Sequence, residues 1–580
     1  MHLQKIFIKN FRNFSEFTIN FDDGFQTIIG ENNVGKSNLY HAIRLVLDTN
    51  LSYKDRLLEE QNFHGFKELQ IDDHIIISIE FYGDNLASFP NLHAIKSSDN
   101  TARVTYLYAH KSLLKETDEV FESVDIKDFR YNLYGGGNSF DFADLIELNK
   151  ISFKELEGIN LFYITAFRNI YKDIHGSNNS LLSQFCTSRE NSEEELEDIN
   201  KILESSSEDL NKLDFIPEIL DTIKEKTSEI AGSYFSFPIS LSFLSNYQSD
   251  SWNKLNLFFN PEEGKNIKLN ILGLGQRNLL YLSLFVAKLI NSQNNHELNL
   301  LLIEEPEAHL HPQLQKLLFA NLGGLNNTQV FMTSHSTHIA SDCEFKNLNV
   351  LYWNINKIVK SFSPFSNGLL SPRESLLLKR YLDATRSEIF FASAVMFVEG
   401  TAEQFLIPVI AKEKYSLNLT EYNISVIPIH SRYFDPFLKI CQQDNLEIVA
   451  CAIIDGDTKE LKRDDEETTA VQNAKSLEVD ERVKVFVGSQ TLEIDLFPRK
   501  DVNSSYLKTC FENLGHQRSY TNLMETDDNW AEELLNRIDN TVKKGRFAQE
   551  LATLIDDDFV VPKYIEDSIK FIRDKKGIAQ

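Results

Sequence analysis

The octet GENNVGKS at residues 30–37 constrains this chain more than any other stretch. It has the spacing G-x-x-x-x-G-K-S and lies between an apolar strand, QTII, and a run with helical spacing, NLYHAIRLVL. A loop that turns from strand to helix at two glycines aims backbone N–H groups into one concavity, where they can hold phosphate oxygens. Gly30 and Gly35 let the backbone curl, Lys36 neutralises β- and γ-phosphate charge, and Ser37 is placed to hold Mg²⁺. Asn33, inside the loop, and Asn38, just beyond it, complete the candidate nucleotide-binding set. Strand, loop and helix in this order require an α/β fold.

Three later stretches belong at the same sheet edge. LNLLLIEEPEAHLHP at 298–312 is a buried-type apolar strand ending in Glu304 and Glu305. In that position the first acid orients the magnesium shell, and the second polarises an attacking water. His335 follows another apolar strand, VFMTSHS, which places it near the γ-phosphate. A single histidine is usually structural, but this position favours a role. LGLGQRN at 272–278 opens a helix with Gly273, Gly275 and Gln276. Alone, G-x-G is a turn. Here, ahead of an apolar helix and the acidic strand, it resembles an ABC-type signature loop, which binds the nucleotide of another protomer.

The second half sets a different problem. MFVEGTAEQF at 396–405 and AIIDGDTKE at 452–460 each end an apolar strand in carboxylates. The order strand, helix, strand, helix, strand, with KVFVGSQTLE as a further strand, predicts a parallel sheet with helices on its faces. Glu399, Glu403 one turn beyond it, Asp455, Asp457, Glu493 and Asp495 then gather at one edge. Like charges repel unless a cation lies among them. Oxygen ligands without His or Cys select Mg²⁺ or Mn²⁺ over zinc. Two such ions roughly 4 Å apart can stabilise the attacking and leaving oxygens of a phosphodiester. A solvated acidic loop would explain any one of these residues, but it does not explain the ordered set.

IFIKNFRNF, GENNVGKS, LGLGQRN, LLIEEPEAHLHP and SHS together resemble the ATPase head of the RecF/SMC group. The resemblance implies that Arg12 approaches the nucleotide. Glu304 stands where an Asp is more usual, and Gly273 where a Ser often sits, which puts the hydrolysis rate in question. The heptad seam Leu213, Ile216, Leu220, Ile223, Thr227 and Ile230 is only a few turns long, so no long DNA-tethering arm is expected.

The acidic second half resembles a Toprim domain. An ABC-type P-loop ATPase head followed by a Toprim α/β domain is similar to the OLD (overcoming lysogenisation defect) family of ATP-dependent nucleases. The expected boundaries are an ATPase domain over 1–370 with a helical insertion at 190–232 as a candidate dimerisation element, a linker helix at 371–392, and a Toprim domain with a basic helical extension at 393–580. KKGRFAQELA at 543–552 and VVPKYIEDSI at 560–569 strengthen the resemblance. It implies a catalytic role for Lys544, beside the metal-bound Asp455, with Lys543, Arg546 and Lys563 as DNA phosphate contacts. For Lys543 and Lys563 a solvated basic helix face is a serious competitor.

A net charge of −27 means that DNA must be met through local basic patches and bound cations. Five scattered cysteines without a CxxC pair argue for reduced thiols in a cytoplasmic protein and against structural zinc. No apolar run has the length of a membrane span, so no membrane partner is expected. The expected activity is an ATP-coupled DNA endonuclease or nickase using ATP and Mg²⁺ or Mn²⁺. The resemblance implies a homodimer or higher oligomer in antiphage defence; some members of the family act with a retron's DNA or RNA and others with a helicase, and these residues do not choose between them. The rival is a RecF-like DNA-binding ATPase without nuclease activity. A topoisomerase lacks room for gate domains here, and a primase lacks its zinc cluster.

Overall fold

A computed structural model describes residues 1–65, 68–84, 86, 90–116, 124–165, 215–231, 239–243, 255–259, 267–291, 298–308, 310–325, 327–343, 345–364, 370–382, 386–442, 445–456, 468–479, 481–525 and 529–578. The chain forms two compact units, Met1–Ile29 with Gly35–Cys343, and Gly30–Val34 with Glu344–Gln580.

In the first unit β1 (His2–Phe11) and β2 (Phe14–Asn20) form an antiparallel hairpin. Its tight turn holds Arg12 at φ 51°. The hairpin continues through β4 (His74–Tyr82), β5 (Thr101–His110), β6 (Phe129–Gly135) and β7 (Asn149–Ile151) as an antiparallel sheet ordered β2-β1-β4-β5-β6-β7. A second set runs parallel, with β8 (Ile159–Ile164) beside β12 (Leu298–Glu304), β12 beside β13 (Thr328–Ser334), and β13 beside β3 (Phe25–Gly30). Every residue of β12 and β13 is buried. Covered on both faces, these strands read as continuous apolar runs instead of alternating.

β9 (Ile239–Phe243), β10 (Leu255–Phe259) and β11 (Ile267–Lys268) make a small antiparallel sheet. The helix Phe215–Ala231 packs against the helices Leu274–Asn291 and Pro312–Leu322. Its Ile219 and Ile223 join Leu279, Leu282 and Leu301 in one core, and Leu220 packs against that core. Thr227 is buried and bonds back to the Ile223 carbonyl. The described part of the heptad seam therefore has a partner within its own unit; Leu213 lies outside the described residues.

The second unit opens with the hairpin of β14 (Leu348–Trp353) and β15 (Val359–Phe362). The helix Pro372–Tyr381 follows, with a capping box in which Ser371 and Glu374 satisfy each other's backbone N–H groups. Four parallel strands come next, β16 (Ala394–Val398), β17 (Ile424–Pro428), β18 (Val449–Ile454) and β19 (Val483–Val487), ordered β17-β16-β18-β19. The helix Thr401–Tyr415 packs against the helix Lys544–Ala552, and the helix Lys563–Lys575 lies on β18 and β19.

One local reading changes. β19 ends at Val487, and residues Leu492–Leu496 form a short helix, so Glu493 and Asp495 sit on a helical turn and not on a strand. The polar stretch 458–480 contains the helix Thr469–Ser476, whose N-cap Thr468 accepts from the Val471 N–H. Val471 and Ala474 bury one face of it, and residues 458–467 and 480 lie outside the described residues.

Candidate functional site

The loop after β3 has the backbone that phosphate binding needs. Gly30 and Gly35 have φ 149° and 110°, and Asn33 is left-handed at 62°. A Cβ on Gly35 would lie 2.2 Å from Asn13 Nδ2, so glycine is required there for space as well as for φ. Ser37 and Asn33 are exposed at the loop, whereas Lys36 is buried. Arg12 donates to Asn38 Oδ1 at 2.8 Å, and Asn38 donates to Asn13 Oδ1 at 2.7 Å. The FRNF turn is thus tied to the first turn of the P-loop helix. Burial lowers the Arg12 pKa, a cost that an anionic ligand would relieve.

His335 stands between two of the predicted groups. Its Nδ1 is 3.5 Å from Lys36 Nζ and its Nε2 is 3.4 Å from Glu305 Oε1. An ammonium can only donate, so Nδ1 accepts and the proton sits on Nε2, facing Glu305. Burial, with Lys36 beside it, pushes the His335 pKa down to about 4, which keeps the ring neutral at physiological pH. Glu305 has φ 41°, a strained conformation for a residue with a side chain, fixed by its N–H bond to the Thr333 carbonyl at 3.1 Å. Glu304 is buried at the end of β12. Burial, then the Glu304 charge, pushes the Tyr163 phenol up to about 12.

Glu307 does not stand out in the sequence beside its two acidic neighbours. It accepts from Ser334 Oγ at 2.7 Å and from the His335 N–H at 2.9 Å, so it orients the histidine loop. Asn278, in the signature helix, donates to the carbonyls of Pro306 and Ala308, each at 3.2 Å. Gly273 and Gln276 are exposed and Gly275 partly so at the start of that helix.

The second unit gathers its carboxylates as the strand order requires. Glu399 follows β16 and accepts from the Asp455 N–H at 2.9 Å, linking the ends of β16 and β18. Glu403 is buried one turn into the next helix and accepts from the Gly400 N–H at 3.1 Å. Glu493 is buried and pairs with Lys544 Nζ at 3.2 Å; Asp539 is 3.8 Å from the same nitrogen. Arg432, for which the sequence offers no motif, lies 3.9 Å from Glu399.

Asp495 has both oxygens committed to Ser489, with the backbone bond at 2.9 Å, and so braces the loop after β19. Asp457 lies outside the described residues. Lys543 and Arg546 are exposed at the start of their helix, while Lys563 pairs with Asp567 at 2.9 Å and Glu566 at 3.6 Å.

Electrostatically this cluster is unfavourable by itself. Burial first, then Glu399, Glu403 and Glu493, raises Asp455 to about 8. Burial, then Glu399 and Glu493, raises Glu403 to about 7. Burial works against the Lys544 charge, but Glu493, Asp539 and Asp455 outweigh it and its pKa rises. An all-oxygen donor set whose members repel one another fits a hard divalent cation. Among the described residues, no three such side chains yet close on a single point. Asp455, Glu403, Glu399 and Glu493 are the residues that would hold the ion.

The sign of the pH effect follows. Both acids have folded pKa values above their unfolded ones, so their protonated forms favour folding, and stability is lost as pH rises through about 7 to 8. In EDTA, the melting temperature should therefore fall between pH 5.5 and 8.5, and Mn²⁺ should restore it most at the alkaline end. A flat profile would mean that these groups ionise freely.

Residues 1–340 match the model of the AAA ATPase domain family, and residues 390–457 match the Toprim domain of overcoming-lysogenization-defect-like proteins. Endonuclease GajA of Bacillus cereus (strain HuB5-5) is 26% identical, across 76% of this chain and 71% of the relative. OLD nuclease of Thermus scotoductus (strain ATCC 700910 / SA-01) is 23% identical, across 69% and 72%. Among solved structures, the C-terminal region of the Burkholderia pseudomallei OLD protein is 27% identical over 32% of this chain and 99% of that one, with a TM-score of 0.27.

Proposed function

The chain belongs to the AAA ATPase domain family and carries an OLD-like Toprim domain behind it, and from that premise we propose an ATP-coupled, divalent-metal-dependent DNA endonuclease or nickase. The observation that carries this reading is the set of buried Glu403 and Glu493 with half-buried Glu399 and Asp455, and Lys544 Nζ 3.2 Å from Glu493. Mg²⁺ or Mn²⁺ bound there would activate a water and offset charge on the scissile phosphate. Lys544 would add a fixed positive charge beside that phosphate. Lys543 and Arg546, exposed near it, would contact DNA phosphates; Lys563 would do so only by leaving its two acidic neighbours. In the ATPase half, Lys36 and Ser37 would hold the phosphates and their metal, while Glu305 and His335 position the water.

A signature loop needs a second copy to act on. Ile271 and Leu274, on either side of Gly273, are 71% and 48% exposed. That apolar pair supports a homodimer in which the loop meets the partner's nucleotide. Antiphage defence in the cytoplasm, with a retron's DNA or RNA or a helicase as partner, is the setting that the family resemblance implies. The rival reading, a DNA-binding ATPase whose Toprim half does no chemistry, draws on the carboxylates that do not yet converge.

The two readings separate on nicking of supercoiled plasmid with Mn²⁺. Wild type should nick, and Lys544→Ala should lower the single-turnover rate while DNA affinity in Ca²⁺ stays nearly constant. Lys544→Arg keeps the charge but loses the compact ammonium, so it should restore little. No nicking by wild type under any divalent metal would favour the rival. Full activity in Lys544→Arg with weakened binding in Lys544→Ala would make this residue a phosphate grip.

A further inference from the structure

One buried group in the carboxylate cluster has no role in the scheme above. Tyr564 lies in the first turn of the helix Lys563–Lys575, which packs on β18 and β19. Its hydroxyl oxygen is enclosed and has no hydrogen-bond partner. The charges it feels are those of Asp455, Asp495, Glu403 and Glu493, so it lies beside the acidic cluster. Its position depends on a glycine. A Cβ on Gly488, just after β19, would lie 3.1 Å from the Tyr564 Cζ and 2.6 Å from Asp495 Oδ2. The missing side chain at 488 is what lets the phenol and the carboxylate close over the strand end.

Buried hydroxyls without a partner are rare in folded proteins, and each needs a reason. Here the neighbouring carboxyl groups offer acceptor oxygens, yet the hydroxyl is not placed to give any of them its proton. Resting on the nuclease reading, we infer that the Tyr564 hydroxyl is a further residue of the phosphodiester site, donating a hydrogen bond to a non-bridging phosphate oxygen of the bound strand. Burial, then the surrounding negative charge, holds the phenol pKa well above its usual value. The group therefore stays protonated and serves as a donor, not as a nucleophile. A phosphate brought in with its cation would supply the acceptor that the free protein lacks. Tyr108, by contrast, bonds the Leu58 carbonyl at 2.9 Å.

Tyr564→Phe keeps the ring over Gly488 and removes only the donor. Three readouts test it: Mn²⁺ affinity, binding of inorganic phosphate to the Mn²⁺-loaded protein by ³¹P line broadening, and single-turnover cleavage. Phosphate affinity should fall about tenfold and the cleavage rate about a hundredfold. Mn²⁺ affinity should stay within about twofold and the melting temperature in EDTA should not drop, because no hydrogen bond is lost. Unchanged phosphate affinity would overturn the inference, and so would a lower melting temperature, which would reveal a structural partner. If wild type binds phosphate through Tyr564 but never cuts DNA, the nuclease reading fails and the phosphate site stands.

Discussion

Glu305→Gln should leave ATP binding intact and slow its hydrolysis by about 10²–10⁴-fold, the range for loss of a general base. The amide keeps the size of the side chain and one hydrogen-bond acceptor toward His335 Nε2, now 3.4 Å from the carboxylate. It cannot take a proton from water. Lys36→Ala acts one step earlier and should remove tight binding itself, because it deletes the buried ammonium that would face the phosphates. Filter binding of ATP, beside single-turnover hydrolysis, separates the two. Normal turnover in Glu305→Gln would mean that the φ 41° strain at this residue serves some other end.

Asp455→Asn should have two effects of opposite sign. Metal affinity should fall by on the order of a hundredfold, since losing a hydrogen-bond partner of a ligand alone costs about 10–100-fold and this substitution would remove a proposed direct ligand. The metal-free protein should melt higher than wild type at pH 8, because a carboxylate whose pKa stands at about 8 among Glu399, Glu403 and Glu493 is replaced by a neutral group. At pH 5 the folded Asp is already protonated but the unfolded one is still ionised, so the difference should shrink there and vanish only as pH falls below the ordinary carboxyl pKa of 3.8. Mn²⁺ calorimetry and melting at the two pH values read both. A variant that melts lower at pH 8 would show that the Asp455 charge is balanced in the free protein.

The fold was legible wherever one physical rule dominates. Unbroken apolar runs such as NLLLIE belong to parallel strands covered on both faces, and the alternation of strand and helix after VMFVEG gave the second parallel sheet. Single sequence positions fail where tertiary contacts decide. Nothing near Glu493 announces a helical turn, yet Leu492, Ile494 and Leu496 are drawn inward and set it. Glu307 looked like one more acid of a strand end, but its use depends on Ser334, which is 27 residues away in sequence. Arg432 reaches the cluster only through folding, so no local motif could mark it, and Tyr564 stands inside VVPKYIEDSI without any local sign that it meets the carboxylates. Motifs reveal groups that share a loop or strand end, and they are silent about groups that converge from distant elements.

The most direct measurement of the central claim is cleavage of an end-labelled DNA duplex by protein stripped of metal and then given Mn²⁺, with wild type and Asp455→Asn compared under single-turnover conditions. Wild type should cut only with the metal restored, and Asp455→Asn should lose cleavage while still hydrolysing ATP. Cleavage that persists in EDTA, or an Asp455→Asn protein that cuts at the wild-type rate, would place the chemistry outside the buried carboxylates of the second sheet.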